Sequence, residues 1–232
     1  MKLPQPIQHL DKRRRQGFTL VELLVCVAIL GILFSILIVA VGSVRTSAQN
    51  SNCISNLRQI GSAITLYMSE NQNELPGPLW SGQGPWFNSY DTRYLPVMLQ
   101  SYLDVQTQPP GWNYAEIFSC PACMDALPDP ESRDGKNYWM NQRIIIDGIH
   151  VNPWGYRNSS GTIDNAPSTA FKLTNAPADT YLMVDLDADF FTDGVTTGWR
   201  SDIATGPVHE SHRNALFLDM HVGQMSLDQK EK

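Results

Sequence analysis

Glu22 is the residue that most invites a chemical question, because it is the one charge in the 27 residues from Phe18 to Val44. An acidic side chain at the centre of an apolar membrane helix costs ~2.5–3.5 kcal/mol on insertion scales. Glu22 lies four residues beyond Phe18, near the edge of the run, where the cost is lower, yet a passive anchor gains nothing from it. Intramembrane carboxylates are as a rule paired and functional. Ahead of the run stand Lys12, Arg13, Arg14 and Arg15, then Gly17. A secretory signal is cut after an apolar core of ~7–15 residues. Here the one small-residue site that fits a cut is Gly17, before the apolar run, so the anchor stays on the mature chain.

Cysteine supplies the second chemistry. Cys26 falls in the apolar run and reads as a small apolar residue. The basic cluster holds the N-terminus in the cytoplasm by the positive-inside rule, which puts Cys53, Cys120 and Cys123 outside it, where disulfides persist. A structural disulfide is the leading reading, either within Cys120-Pro-Ala-Cys123 or from Cys53 to one of that pair. A zinc site would need four ligands, with Cys53, His209, His212 or His221 completing the set. A redox pair is the weakest reading, since Pro128 and Pro130 soon interrupt any helix after it.

Carboxylates supply the third. Asp185, Asp187 and Asp189 alternate, which on an extended segment puts them on one side, with Asp193 following. Such a trio repels itself unless a cation neutralises it, and calcium takes 6–8 oxygens from loops of this kind. On this reading, removing Asp187 relieves repulsion. The spacing is not that of an EF-hand, since Phe190 stands where that loop needs glycine. No nucleophile triad, phosphate loop or glycine-rich turn after a strand is present, so the chain reads as no enzyme, requiring no cofactor. Calcium is the candidate ion for the acidic cluster.

These groups need elements to hold them. As a helix, the 27-residue run measures ~40 Å, enough to cross a ~30 Å hydrocarbon core. No proline occurs from Phe18 to Ser69, and Ile54, Leu57, Ile60, Ile64 and Tyr67 continue an apolar stripe. One helix of about 52 residues, ~78 Å long, is predicted. Leu75-Pro76-Gly77-Pro78 ends it, and a turn-rich, tryptophan-rich middle follows, where the tryptophans read as packing. A short helix is expected over 93–102. Strands are expected over 142–149 and 180–184, with a hairpin of 214–218 and 221–225 turning at Asp219-Met220. A long helix followed by a small antiparallel sheet is the α+β layout.

The run Gly17-Phe18-Thr19-Leu20-Val21-Glu22 behind a basic leader resembles the class III signal of prepilins, the type IV pilins and type II secretion pseudopilins. The resemblance implies that a prepilin peptidase cuts between Gly17 and Phe18 and methylates the new amine of Phe18. It further implies that Glu22 pairs with the terminal amine of a neighbouring subunit. Cys53 to Gly61, Tyr67, Leu75-Pro76 and His209 with Asp219 nine residues beyond it resemble a prepilin-like group ending in His-x9-Asp-Gly. Met220 departs from that pattern where the group has glycine. Major pseudopilins carry a calcium-binding C-terminal loop, which strengthens the reading of the acidic cluster.

The implied organisation is a cleaved leader over 1–17, a transmembrane helix half over 18–44, an amphipathic half over 45–75 and an extracytoplasmic domain over 76–232. The implied fold is α+β and pilin-like, one long N-terminal helix packed on a small antiparallel sheet with a loop-rich middle. The implied protein is a single-pass subunit of the bacterial inner membrane, its N-terminus cytoplasmic, working with other pilin-like subunits and the inner-membrane assembly machinery. A membrane-anchored binding module using the same export signal is the competing reading. Loss of the leader, which carries +4, takes the net charge from −6 to −10. So acidic a chain excludes nucleic acid as partner, because phosphate contacts need clustered Lys and Arg.

Overall fold

The computed structural model describes residues 18–106, 110–146, 149–157, 163–164, 179–192 and 202–230. Gly17, Asp193 and Trp199 lie outside them. One α-helix runs from Leu20 to Glu70, 51 residues, as the proline-free stretch predicts. The chain forms two units, 1–44 and 45–232.

In the first unit the helix leaves large apolar side chains uncovered at every turn, among them Leu24, Val27, Leu30, Phe34 and Ile38, each at least half exposed. By length and composition this helix can cross a membrane. Apolar surface of this extent needs lipid or sister helices around it.

In the second unit the helix buries a stripe of Cys53, Leu57, Ile60, Ala63, Ile64 and Met68. Steps of three and four residues keep that stripe on one face. Ile54 and Tyr67 flank it, half-buried, while Arg58, Gln59 and Ser62 face outward. The stripe packs on a five-stranded sheet ordered Gly82–Gln83, Tyr138–Met140, Tyr181–Asp185, His212–Phe217, Val222–Ser226. Every neighbouring pair in it is antiparallel. Tyr138, Met140, Leu182, Met183, Leu216 and Leu218 share one buried core with the helix stripe. Trp139, Val184, Ala215, Phe217 and Met225 build a second core on the opposite face with Phe190, Phe191 and Ile203.

The expected hairpin is present over His212–Phe217 and Val222–Ser226. Its connection differs from a two-residue turn. Met220 donates its N–H to the Phe217 carbonyl, and Phe217 donates to the His221 carbonyl. Met220 itself takes φ +66°. This is a turn followed by a left-handed residue, the three-residue form of a hairpin loop. The demand for glycine is real, and methionine meets it with its side chain partly buried against the core.

Three expectations shift elsewhere. The helix expected over 93–102 shrinks to Leu95–Met98, and the strand expected over 142–149 becomes a hairpin of Ile144–Ile146 with Ile149–Val151. The strand Tyr138–Met140 has no sequence forecast, because burial of all three residues removes the alternation that marks strands. In the middle region Trp86 meets Tyr114 and Tyr94 meets Trp112 edge to face, while Trp154 is fully buried.

Candidate functional site

At the head of the helix, Thr19 and Glu22 satisfy each other. Thr19 donates from its backbone N–H at 2.9 Å and from Oγ1 at 2.8 Å to Glu22 Oε2, and Glu22 N–H donates to Thr19 Oγ1 at 3.3 Å. This is a capping box, which ties up backbone donors that the first helical turn leaves open. Thr-x-x-Glu is its sequence signature, and the sequence reading passed over it. All three bonds leave Glu22 Oε1 without a partner among the described residues. Phe18, just ahead, is 80% exposed.

Deep in the second unit, Cys53 is bonded to Cys120 as a disulfide, with Cα atoms 4.8 Å apart. The helical phase explains the choice. Cys53 leads the buried stripe four residues before Leu57, so it points at the sheet, where the segment after the Glu116–Phe118 turn delivers Cys120. Cys120 stands at the position before the helix Pro121–Ala126, with no side-chain capping bond, and that helix turns Cys123 inward as a free, buried thiol. Cys123 bonds the Asn137 carbonyl at 3.7 Å. Burial pushes its thiol well above the ordinary range, and the Asp185 and Asp187 carboxylates push the same way. A redox pair needs the reverse, a thiol of lowered pKa with access to solvent.

His209 comes to the same place. Its Nε2 lies 3.6 Å from Cys120 Sγ and 3.0 Å from Asp185 Oδ2. Both side chains are almost fully buried. Of the other histidines considered, His212 stacks on His209 at 5.8 Å, and His221 pairs with Asp219 in the hairpin loop and stacks on Phe217. The His209 and Asp219 of the C-terminal pattern therefore have separate partners and separate structural roles.

The acidic cluster requires a correction. Asp185, Asp187 and Asp189 do not share one side, because the strand ends at Asp185 and a 3-10 turn follows over Ala188–Phe190. Burial of Phe190 and Phe191 in the second core drives that turn and rotates Asp189 to solvent. Asp185 Oδ2 accepts from the Asn214 N–H at 3.0 Å. Asp187 gives both oxygens to Arg213, at 2.6 Å to Nε and 2.8 Å to Nη2, with both side chains essentially fully buried. The same guanidinium reaches the Leu227 and Gln229 carbonyls, anchoring the C-terminal segment. Asp187 is paired with an arginine, and it would have to surrender that partner to reach a cation. Spacing along the chain could not reveal Arg213, which lies 26 residues away.

A groove of about 1150 Å³ runs beside the amphipathic half of the helix, lined by Asn52, Asn56, Gln59, Tyr102, Tyr114 and Asp125 among others. It gathers no cluster of nucleophile, base and oxyanion donor of the kind that catalysis needs.

An apolar, capped N-terminal helix that continues into a small antiparallel sheet defines a pilin-like α+β layout. Residues 12–38 match the family model described as the prokaryotic N-terminal methylation motif, so that segment carries a prepilin-like signal. No curated protein and no solved structure matches it.

Proposed function

We propose that this chain is a pilin-like structural subunit, cut by prepilin peptidase between Gly17 and Phe18 and assembled through its N-terminal helix into a pseudopilus or a pilus-like filament. The methylation-motif match over residues 12–38 carries the reading, and the uncovered apolar helix behind it supports assembly. In the precursor, the basic leader stays cytoplasmic, the Phe18–Val44 segment spans the inner membrane, and the domain beyond Arg45 lies outside. In the assembly, sister helices take the place of lipid. Glu22 Oε1 then receives the methylated amine of a neighbouring Phe18, while Oε2 keeps the Thr19 cap.

Intact-mass analysis of the chain extracted from membranes tests the first step. The mature mass lacks residues 1–17 and gains one methyl group, and Gly17→Val leaves the precursor at full length. A mature chain beginning anywhere other than Phe18 refutes the proposal.

A further inference from the structure

The disulfide, the free thiol and the buried histidine form a cluster of two groups that share Cys120, and the proposed assembly does not use it. The ligand atoms of Cys53, Cys120 and His209 lie within 4.8 Å of one another, and so do those of Cys120, Cys123 and Asp185. All five residues are buried. Two buried atoms at this place, His209 Nδ1 and Asp185 Oδ1, have no hydrogen-bond partner among the described residues, although buried polar atoms normally do. Three sulfurs and one imidazole nitrogen form one of the common structural zinc sets, and a Cys-x2-Cys pair is its usual core. Zinc bonds of about 2.3 Å to sulfur and 2.0–2.1 Å to nitrogen, at a tetrahedral angle, give a sulfur–nitrogen edge of about 3.6 Å. Cys120 Sγ and His209 Nε2 already stand 3.6 Å apart.

We propose that this cluster, in its thiol form, is a zinc site whose ligands are Cys53, Cys120, Cys123 and His209. A dithiol reductant opens it: the Cys53–Cys120 bond takes two electrons and two protons, and the dithiol leaves as its own disulfide. Zinc then binds the three sulfurs and His209, and the three thiol protons leave to solvent. The two cysteine sulfurs separate to about 3.8 Å, the sulfur–sulfur edge of such a site. A small-molecule disulfide reverses the sequence: it takes two electrons from the Cys53 and Cys120 thiolates and two protons from solvent and leaves as its dithiol. The Cys53–Cys120 bond re-forms, Cys123 regains its proton from solvent, and the ion is released. Either closure, by disulfide or by zinc, fastens the helix at Cys53 to the segment at Cys120. The domain therefore keeps its cross-link in both redox states. The inference stands apart from filament assembly, which rests on residues 12–38.

The test uses the full-length chain in detergent micelles, reduced anaerobically with dithiothreitol and freed of it, then titrated with cobalt(II) and zinc. The reduced chain binds one cobalt with intense thiolate charge-transfer bands and the d–d bands of a tetrahedral site, and one equivalent of zinc bleaches them. Zinc raises the Tm of the reduced chain and leaves that of the disulfide form unchanged. Cys123→Ser and His209→Ala, each confirmed by an unaltered tryptophan emission before reduction, weaken zinc at least tenfold. A reduced wild type without the tetrahedral spectrum overturns the proposal. So does an unchanged spectrum in Cys123→Ser, or equal zinc stabilisation of the oxidised and reduced chains, which would mark adventitious binding.

Discussion

Replacing Arg213 by methionine keeps most of the side-chain stem and removes the guanidinium. What remains is Asp187, fully buried, its two oxygens stripped of both guanidinium donors. Two costs follow. The carboxylate loses a bidentate, charge-assisted pair at 2.6 and 2.8 Å, and the Leu227 and Gln229 carbonyls lose the donor that holds the C-terminal segment. Breaking a buried pair from one side typically costs ~3–5 kcal/mol, because the surviving charge is left uncompensated in low dielectric. A unit of this size loses about 2–4 °C of Tm per kcal/mol, so Arg213→Met should lower the transition by roughly 6–20 °C.

Tryptophan fluorescence of the full-length chain in detergent reports this directly, since all six tryptophans lie past residue 79. Asp187→Leu should cost a similar amount, the reverse of the relief that alternating carboxylates suggest. The double variant Arg213→Met/Asp187→Leu should recover most of the loss, because a hydrophobic pair of similar volume often matches a buried ion pair. The diagnostic quantity is the coupling, several kcal/mol in a double-mutant cycle, far beyond the ~0.3–0.5 kcal/mol within which independent sites add. Additive losses, or an Arg213→Met variant within about 1 kcal/mol of wild type, would refute the view that this pair organises the sheet end.

Glu22→Gln should still be cut at Gly17 yet give fewer filaments at equal processing, because the amide keeps the Thr19 cap and loses the charge; wild-type filament yield would show that the carboxylate is no assembly contact. At the hairpin, Met220→Gly should be more stable than Met220→Ala by ~1 kcal/mol in urea melts, since both lose the methionine packing and only alanine keeps the left-handed strain. Equal midpoints would mean that φ +66° at Met220 carries no cost. Gly77→Ala should destabilise the domain by more than ~1 kcal/mol, because an added Cβ would collide with the Trp154 backbone carbonyl; an unchanged melt would show that this loop yields easily.

How far the fold is legible from the sequence follows from the range of the forces involved. The long helix is visible because its determinants are local: no proline, a continuous apolar run, then a stripe at helical spacing. The C-terminal hairpin is visible for the same reason. Cys53 as the partner of Cys120 was within reach too, because steps of four, three and four carry Cys53 through Leu57 and Ile60 to Ile64 on the buried face. What stays hidden is decided across the chain. The strand Tyr138–Met140 lies between Gly82–Gln83 and Tyr181–Asp185 and is buried on both faces, so it shows no period. Asp187 reads as a cation ligand until Arg213 is brought to it by the pairing of His212–Phe217 with Tyr181–Asp185.

The Thr19–Glu22 cap changes what Glu22 has to accomplish. If the carboxylate served only a neighbouring amine, the lone helix would begin with open N–H groups and an unpaired charge at the membrane edge, both costly there. The cap satisfies part of that helix start and gives one carboxylate oxygen two donors before any assembly, since Oε2 alone accepts both bonds from Thr19. Oε1 has no partner among the described residues, so the proposed exchange of lipid for sister helices would not first break the helix start. On the proposed assembly, the same four residues would hold the free subunit in order and leave one oxygen for the next subunit. That division of labour explains why a charge is tolerable so close to the start of an otherwise uncharged run.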